Sequence, residues 1–139
     1  MSYTVFTDGA SRGNPGPAAI GAVCFLNTIP DLVEFKSGFQ PVFSISEAVG
    51  VKTNNEAEYL SVMAALKKLL AHDIRKAQIF MDSELVIRQI NGQYKVKNLN
   101  LEKLWIQVKA LSRGGEYMFS HIPREKNAIA DYLANQAYK

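Results

Sequence analysis

Cysteine and histidine are nearly absent from these 139 residues, which hold one cysteine and two histidines. A single thiol excludes an internal disulfide framework, and Cys24, set inside "AIGAVCFL", reads as a small core residue. Clustered soft or imidazole ligands of the kind that hold zinc are missing as well. Long apolar runs are also lacking. The longest, Ala18 to Leu26, is too short to span a bilayer, and "MSYTVF" carries neither the charged nor the apolar region of a signal peptide. The expectation is a soluble, cytoplasmic protein with no membrane partner. No repeat, linker or low-complexity segment interrupts the chain, so residues 1–139 are expected to form one domain around one core. The two commonest phosphate-holding loops, G-K-[ST] opening a helix and G-x-G-x-x-G, are absent too.

The net charge of +3 says little by itself, but its distribution says more. Between Leu85 and Ala130 stand Arg88, Lys95, Lys97, Lys103, Lys109, Arg113, Arg124 and Lys126, against Glu102, Glu116 and Glu125. A basic side of this kind fits a polyanion, although scattered lysines are ordinarily just a solvated surface.

Hydrophobic patterning predicts strands over Tyr3 to Thr7, Ala19 to Leu26 and roughly Leu32 to Phe39, with "PVFSISEAVG" as a loop. In "TNNEAEYLSVMAALKKLLAHD" the apolar residues Tyr59, Val62, Met63, Leu66, Leu69 and Leu70 recur with helical spacing behind an N-cap at Asn54 or Asn55. A buried strand "AQIFMD", the helices "SELVIRQI" and "NLEKLWIQVKAL", a strand "YMFSHIP" and a last helix "NAIADYLANQAYK" follow. Strands separated by helices pair in parallel through right-handed crossovers, whereas the first three can meander antiparallel. The expected fold is therefore α/β, a five-stranded mixed sheet with helices on both faces.

Carboxylates mark the chemistry. Asp8 ends the run "YTVFTD" ahead of a glycine- and proline-rich connection from Gly9 to Pro17. It reads either as turn chemistry or as a ligand at the carboxyl end of a strand. Asp82 ends "QIFMD" in the same way, with a helix N-cap as its alternative. Glu58, at about 100° per residue, shares the stripe of Val62, Ala65 and Leu69 and faces the sheet, while Glu56 reads as solvated. Asp131 lies in the polar row Asn127, Asp131, Asn135, which alone would be a solvent face. Converging carboxylates repel one another unless a cation compensates, and oxygen ligands select Mg²⁺ or Mn²⁺.

Four blocks in order, "FTDGASRGNPGP", "TNNEAEY", "FMDSELV" and "HIPREKNAIAD", resemble those of the type 1 ribonucleases H and span nearly the whole chain. The resemblance implies a ribonuclease H-like fold and an endonuclease cutting the RNA strand of RNA/DNA hybrids with two divalent metal ions. It implies products with 5′-phosphate and 3′-hydroxyl ends. Asp8, Glu58, Asp82 and Asp131 match the family's metal-binding carboxylates. His121 matches a histidine assigned to proton transfer or product release. Asn14, Thr53, Asn54 and Asn55 match nucleic-acid contacts, and Asn127 matches an asparagine near the last aspartate, grouped here with those contacts.

The chain also departs from the family's long members. No basic protrusion interrupts "NGQYKVKNLNLEKLW", Val51 stands where an arginine is common, and Glu84 stands where a glutamine is common. The short form looks most like a branch in which some members also cut double-stranded RNA, and a monomer is expected. A resolvase- or transposase-like DNA nuclease on the same fold, or a binding module without catalysis, are the competing readings.

Overall fold

The structure, a computed structural model, describes residues 1–139. Its centre is a five-stranded sheet in the order β3-β2-β1-β4-β5. β1 (Tyr3–Ser11) pairs antiparallel with β2 (Gly16–Leu26), from Tyr3 opposite Leu26 to Ser11 opposite Ala18. The ladder thus runs further than the pattern predicts, and the long connection expected from Gly9 to Pro17 shrinks to the turn Arg12–Pro15. Asp8 accordingly lies within β1, opposite Gly21, rather than at its end. Small residues permit this extension, and the Ser11 hydroxyl ties the end of β1 to Lys52, which pairs with Gly16 on the far side of β2, by donating to the Lys52 carbonyl at 2.8 Å.

The strand expected at Leu32 to Phe39 is instead a short helix, α1 (Leu32–Lys36). A capping box decides the matter locally: Asp31 accepts from the Glu34 amide at 2.8 Å, and Glu34 accepts from the Asp31 amide at 3.2 Å. Phe35 and Phe39 then pack edge-on against Phe25, 6.1 and 5.8 Å between ring centroids. The third strand, β3 (Phe43–Lys52), falls where the pattern predicts a loop. It is an edge strand whose alternation of Phe43, Ile45, Val49 and Val51 is broken by Glu47, and only Phe43 and Ile45 of it are buried.

α2 (Asn54–Ala71) crosses to β4 (Lys76–Met81), which pairs parallel with β1 from Thr4–Gln78 to Phe6–Phe80. α3 (Glu84–Ile90) and α4 (Leu99–Ser112) lead to β5 (Glu116–His121), parallel to β4. One 3-10 turn (Arg124–Lys126) precedes α5 (Ala128–Gln136). The main core lies on one face, where Tyr59, Val62, Leu66 and Leu69 of α2 meet Val5 and Ile79 of the sheet. Burying each such side chain stabilises the fold by roughly 1.5–3 kcal/mol. On the other face Ile129 and Leu133 of α5 cover Val23 and Phe25.

Two glycines let helices approach the sheet closely enough to bring their carboxylates to it. A Cβ at Gly9 would collide with the Ala57 carbonyl of α2, and one at Gly21 with the Ala130 carbonyl of α5. Cys24 is buried, and desolvation pushes its thiol up to about 12, so it stays protonated. No helix is long and apolar enough to cross a membrane.

Candidate functional site

β1 and β4 stop pairing after Phe6 and Phe80, and the Thr7 hydroxyl makes the last link by donating to the Phe80 carbonyl at 3.1 Å. Beyond it the strands part, opening a crevice at the carboxyl ends of a parallel pair, where α/β sheets bind ligands. Asp8 is the next residue of β1, and Asp82 follows Met81, the last residue of β4. The helix cap that Asp82 could have supplied comes from Ser83, whose hydroxyl accepts from the Val86 amide at 3.3 Å. Glu58 enters from the second turn of α2 and Asp131 from the first turn of α5. All four carboxylates line one cleft of about 430 Å³, together with Ser11, Asn54, Ser83 and Arg124.

The electrostatics of this cleft are unfavourable as they stand. Asp8 is only 7 % exposed. Burial first, then the charges of Asp82, Asp131 and Glu58 and a hydrogen bond shared with Asp131, push its carboxyl up to about 8. Glu58, 6 % exposed, is pushed up to about 7 by burial and by Asp82, with the Ser83 hydroxyl pulling the other way. Two carboxyls that retain protons near neutrality have too little positive charge around them. A divalent cation would supply that charge, and the donor set is oxygen throughout, which suits Mg²⁺ or Mn²⁺. No three acidic, histidine or cysteine side chains close into a cage made by protein alone. Mg²⁺ does not need one, because it usually keeps waters and accepts substrate phosphate oxygens. The cleft therefore fits the group the donor chemistry calls for.

A second groove of about 350 Å³ adjoins the first and shares Asn54 with it. Asn14, Thr53, Asn54 and Asn55 line it, as do Asn98 and Asn100 at the start of α4. Asn54 ties the two grooves together. Its backbone amide donates to Asn14 Oδ1 at 3.0 Å, its own Oδ1 accepts from the Ser11 amide at 3.1 Å, and its Nδ2 donates to Glu58 Oε1 at 3.2 Å. The N-cap of α2 is Thr53 rather than either asparagine, in a capping box with Glu56. Glu56, expected to be merely solvated, thus has a structural partner.

Asn127 requires a correction, since it is fully buried and has no surface to offer a nucleic acid. Its Nδ2 donates to the Thr7 carbonyl at 2.9 Å, and its Oδ1 has no partner. Its carbonyl accepts from the Asp131 amide at 3.1 Å, so it pins the start of α5 beside β1 and sets Asp131 over the crevice. Asn127→Ala would leave the buried Thr7 carbonyl unpaired. It is expected to destabilise the protein by about 1–3 kcal/mol, measured by denaturant unfolding.

His121 is exposed at the end of β5, opposite Met81, and Arg124 rather than His121 lines the carboxylate cleft. Sequence pattern does not single out Arg124, Ser83, Asn98 or Asn100. The repeated asparagines of "KNLNL" and the one arginine in "HIPREKNAIAD" are the signals that could have found three of them.

A family model described as reverse transcriptase-like matches residues 6–137. The bifunctional protein Rv2228c of Mycobacterium tuberculosis is 39 % identical over 141 residues, covering 99 % of this chain but 35 % of that protein, so the chain spans about a third of its length. The solved N-terminal RNase H domain of rv2228c, fused to maltose binding protein, superposes with a TM-score of 0.87 at 35 % identity, covering 100 % of both chains. RNase H1 from Halobacterium salinarum has a TM-score of 0.87 at 32 % identity, over 99 % of this chain and 98 % of that one. LC11-RNase H1, solved in complex with an RNA/DNA hybrid, has a TM-score of 0.84 at 36 % identity, over 98 % and 96 %.

Proposed function

The chain belongs to the reverse-transcriptase-like family of ribonuclease H domains, and from that premise we propose that it is an endonuclease hydrolysing the RNA strand of RNA/DNA hybrids. The observation that carries this reading is the convergence of Asp8, Glu58, Asp82 and Asp131, from four separate elements, on the crevice where β1 and β4 part. When bound by these four side chains, two Mg²⁺ or Mn²⁺ ions would supply activation of the attacking water and stabilisation of the leaving 3′ oxygen.

The chain's own residues supply positioning. Asn54 orients the Glu58 carboxylate by donating to Oε1, and the Ser83 hydroxyl supports it from the side of α3. Asn14, Thr53, Asn54 and Asn55 offer donors and acceptors to sugar and phosphate beside the carboxylates, where a 2′-hydroxyl distinguishes RNA from DNA. Arg124 brings a guanidinium to the cleft wall and faces substrate phosphate. His121 assists from the adjoining strand end by giving a proton to the leaving 3′ oxygen or by easing product release. Products carry 5′-phosphate and 3′-hydroxyl ends.

Two consequences are measurable. With either strand labelled in turn, hybrid is expected to lose its RNA strand and keep its DNA strand in Mg²⁺. Cutting of duplex DNA would favour a resolvase-like enzyme instead, and a parallel duplex RNA arm reads the side activity. His121→Ala is expected to lower turnover about ten- to a hundred-fold without changing metal affinity, measured by Mg²⁺ titration. A changed affinity would make His121 a ligand.

A further inference from the structure

Arg12 opens the turn between β1 and β2, with Ser11 on the wall of the carboxylate cleft to one side of it in the chain and Asn14 on the wall of the asparagine groove to the other. An exposed arginine in a turn is ordinarily mobile. This one is stacked, with its Cζ 3.7 Å from the centroid of the Tyr138 ring, a contact that favours one placement of the guanidinium. Tyr138 is itself tied down. Its hydroxyl stands 3.0 Å from the Pro17 carbonyl and 3.2 Å from the Ala10 carbonyl, two acceptors at the neck of the hairpin, and its backbone continues the last turns after α5. The Arg12 amide donates to the same Pro17 carbonyl at 2.8 Å. On its other flank the turn is held by the Asn54 amide bonded to Asn14 Oδ1.

What is missing around this guanidinium is an anion. The ion pairs of the chain are Arg75–Asp73 and Arg88–Glu84, and Arg12 takes part in neither. Stacking covers the face of a guanidinium and leaves its edge of N–H donors available, a planar fork that matches two phosphate oxygens. Building on the proposed hybrid substrate, we infer that Arg12 is a phosphodiester-binding residue of the nucleic-acid surface and that Tyr138 is its positioning residue. The cleft beside it carries four carboxylates, so a polyanion approaching them needs fixed positive charge at the rim. A lysine at position 12 could carry the charge but not the planar stack.

The test uses the catalytically silent Asp8→Asn protein, with hybrid affinity measured across a salt series. Arg12→Gln is expected to weaken binding about three- to ten-fold and to make the log–log salt slope shallower by about 0.9, one phosphate contact. Arg12→Lys should keep the slope and bind with intermediate affinity. Tyr138→Leu should weaken binding in the parent, whereas Tyr138→Phe, which keeps the ring, should recover most of it. In the Arg12→Gln background Tyr138→Leu should then have no further effect on binding, because its contribution runs through Arg12. An Arg12→Gln protein with the parent's affinity and slope overturns the inference. Equal weakening by Tyr138→Leu in both backgrounds overturns the positioning role and makes Tyr138 a purely structural latch. Should Tyr138→Leu fail to fold, the Arg12→Lys and Tyr138→Phe comparisons decide. If the Asp8→Asn parent binds no hybrid at all, the proposed substrate fails and this inference with it.

Discussion

Asp8→Asn is expected to reduce RNA-strand cleavage by about 10²-fold or more and to make the metal-free protein more stable at alkaline pH. Both effects originate in the same buried carboxyl. In the folded chain Asp8 is raised from 3.8 to about 8, by burial first and then by Asp82, Asp131 and Glu58. A raised carboxyl contributes stability that is complete below its unfolded value and lost as pH climbs through its folded value. Glu58, raised from 4.5 to about 7, acts in the same direction. Without metal, the wild type should therefore lose stability between about pH 4 and pH 8, and asparagine, which carries no charge, should lose less. A tenfold difference in proton affinity between folded and unfolded chain is worth about 1.4 kcal/mol. Even a fraction of the rise at Asp8 leaves about 2 kcal/mol at pH 8, or roughly 5 °C in melting temperature. Added Mg²⁺ should close that gap by stabilising the wild type. Retention of more than about a tenth of wild-type cleavage, against the hundred-fold expected of a catalytic group, would remove Asp8 from the site.

Two glutamates separated by about half a helical turn provide the second test. Glu58→Gln should leave less than about a hundredth of the wild-type rate, since Glu58 reaches the crevice under the Asn54 amide and beside Ser83. Glu56→Gln should cleave within about two-fold of wild type, because it faces the Thr53 backbone and glutamine can still accept from that amide in a capping box. Parallel melting curves separate loss of chemistry from loss of fold. The opposite pattern would mean that the wrong face of α2 meets the substrate.

The position of Glu58 is legible in sequence because a long helix repeats its apolar stripe many times, and a carboxylate on that stripe must go where the stripe goes. Asp8 and Asp82 are legible in part, each following a short apolar run that reads as a strand, although the strand of Asp8 runs three residues beyond it, to Ser11. Where local chemistry competes with pattern, the pattern misleads. Leu32 to Phe39 is apolar enough for a strand, yet Asp31 and Glu34 close a capping box across its start and turn it into helix. β3 alternates at Phe43, Ile45, Val49 and Val51, but Glu47 and Gly50 interrupt the alternation and only the first two of these side chains are buried, so the segment resembles a loop in sequence. Asn127 shows a different limit. Its row with Asp131 and Asn135 looks like a solvent face, and only the approach of α5 to Gly21 and the Thr7 carbonyl turns one member of that row inward. Arg124 reaches the cleft through the 3-10 turn before α5, a geometry with no periodic trace in sequence.

That the four carboxylates are there to hold a divalent cation is the claim on which the rest depends. It can be read directly by calorimetric titration of Mg²⁺ into metal-free protein at pH 7, in two buffers that differ in ionisation heat. With Asp8 at about 8 and Glu58 at about 7, the cleft holds protons at that pH which a cation must displace. The account predicts saturable binding with release of about one proton or more per chain, and both binding and release diminished in Asp8→Asn. Mg²⁺ uptake without proton release, or identical titrations of the wild type and Asp8→Asn, would contradict it.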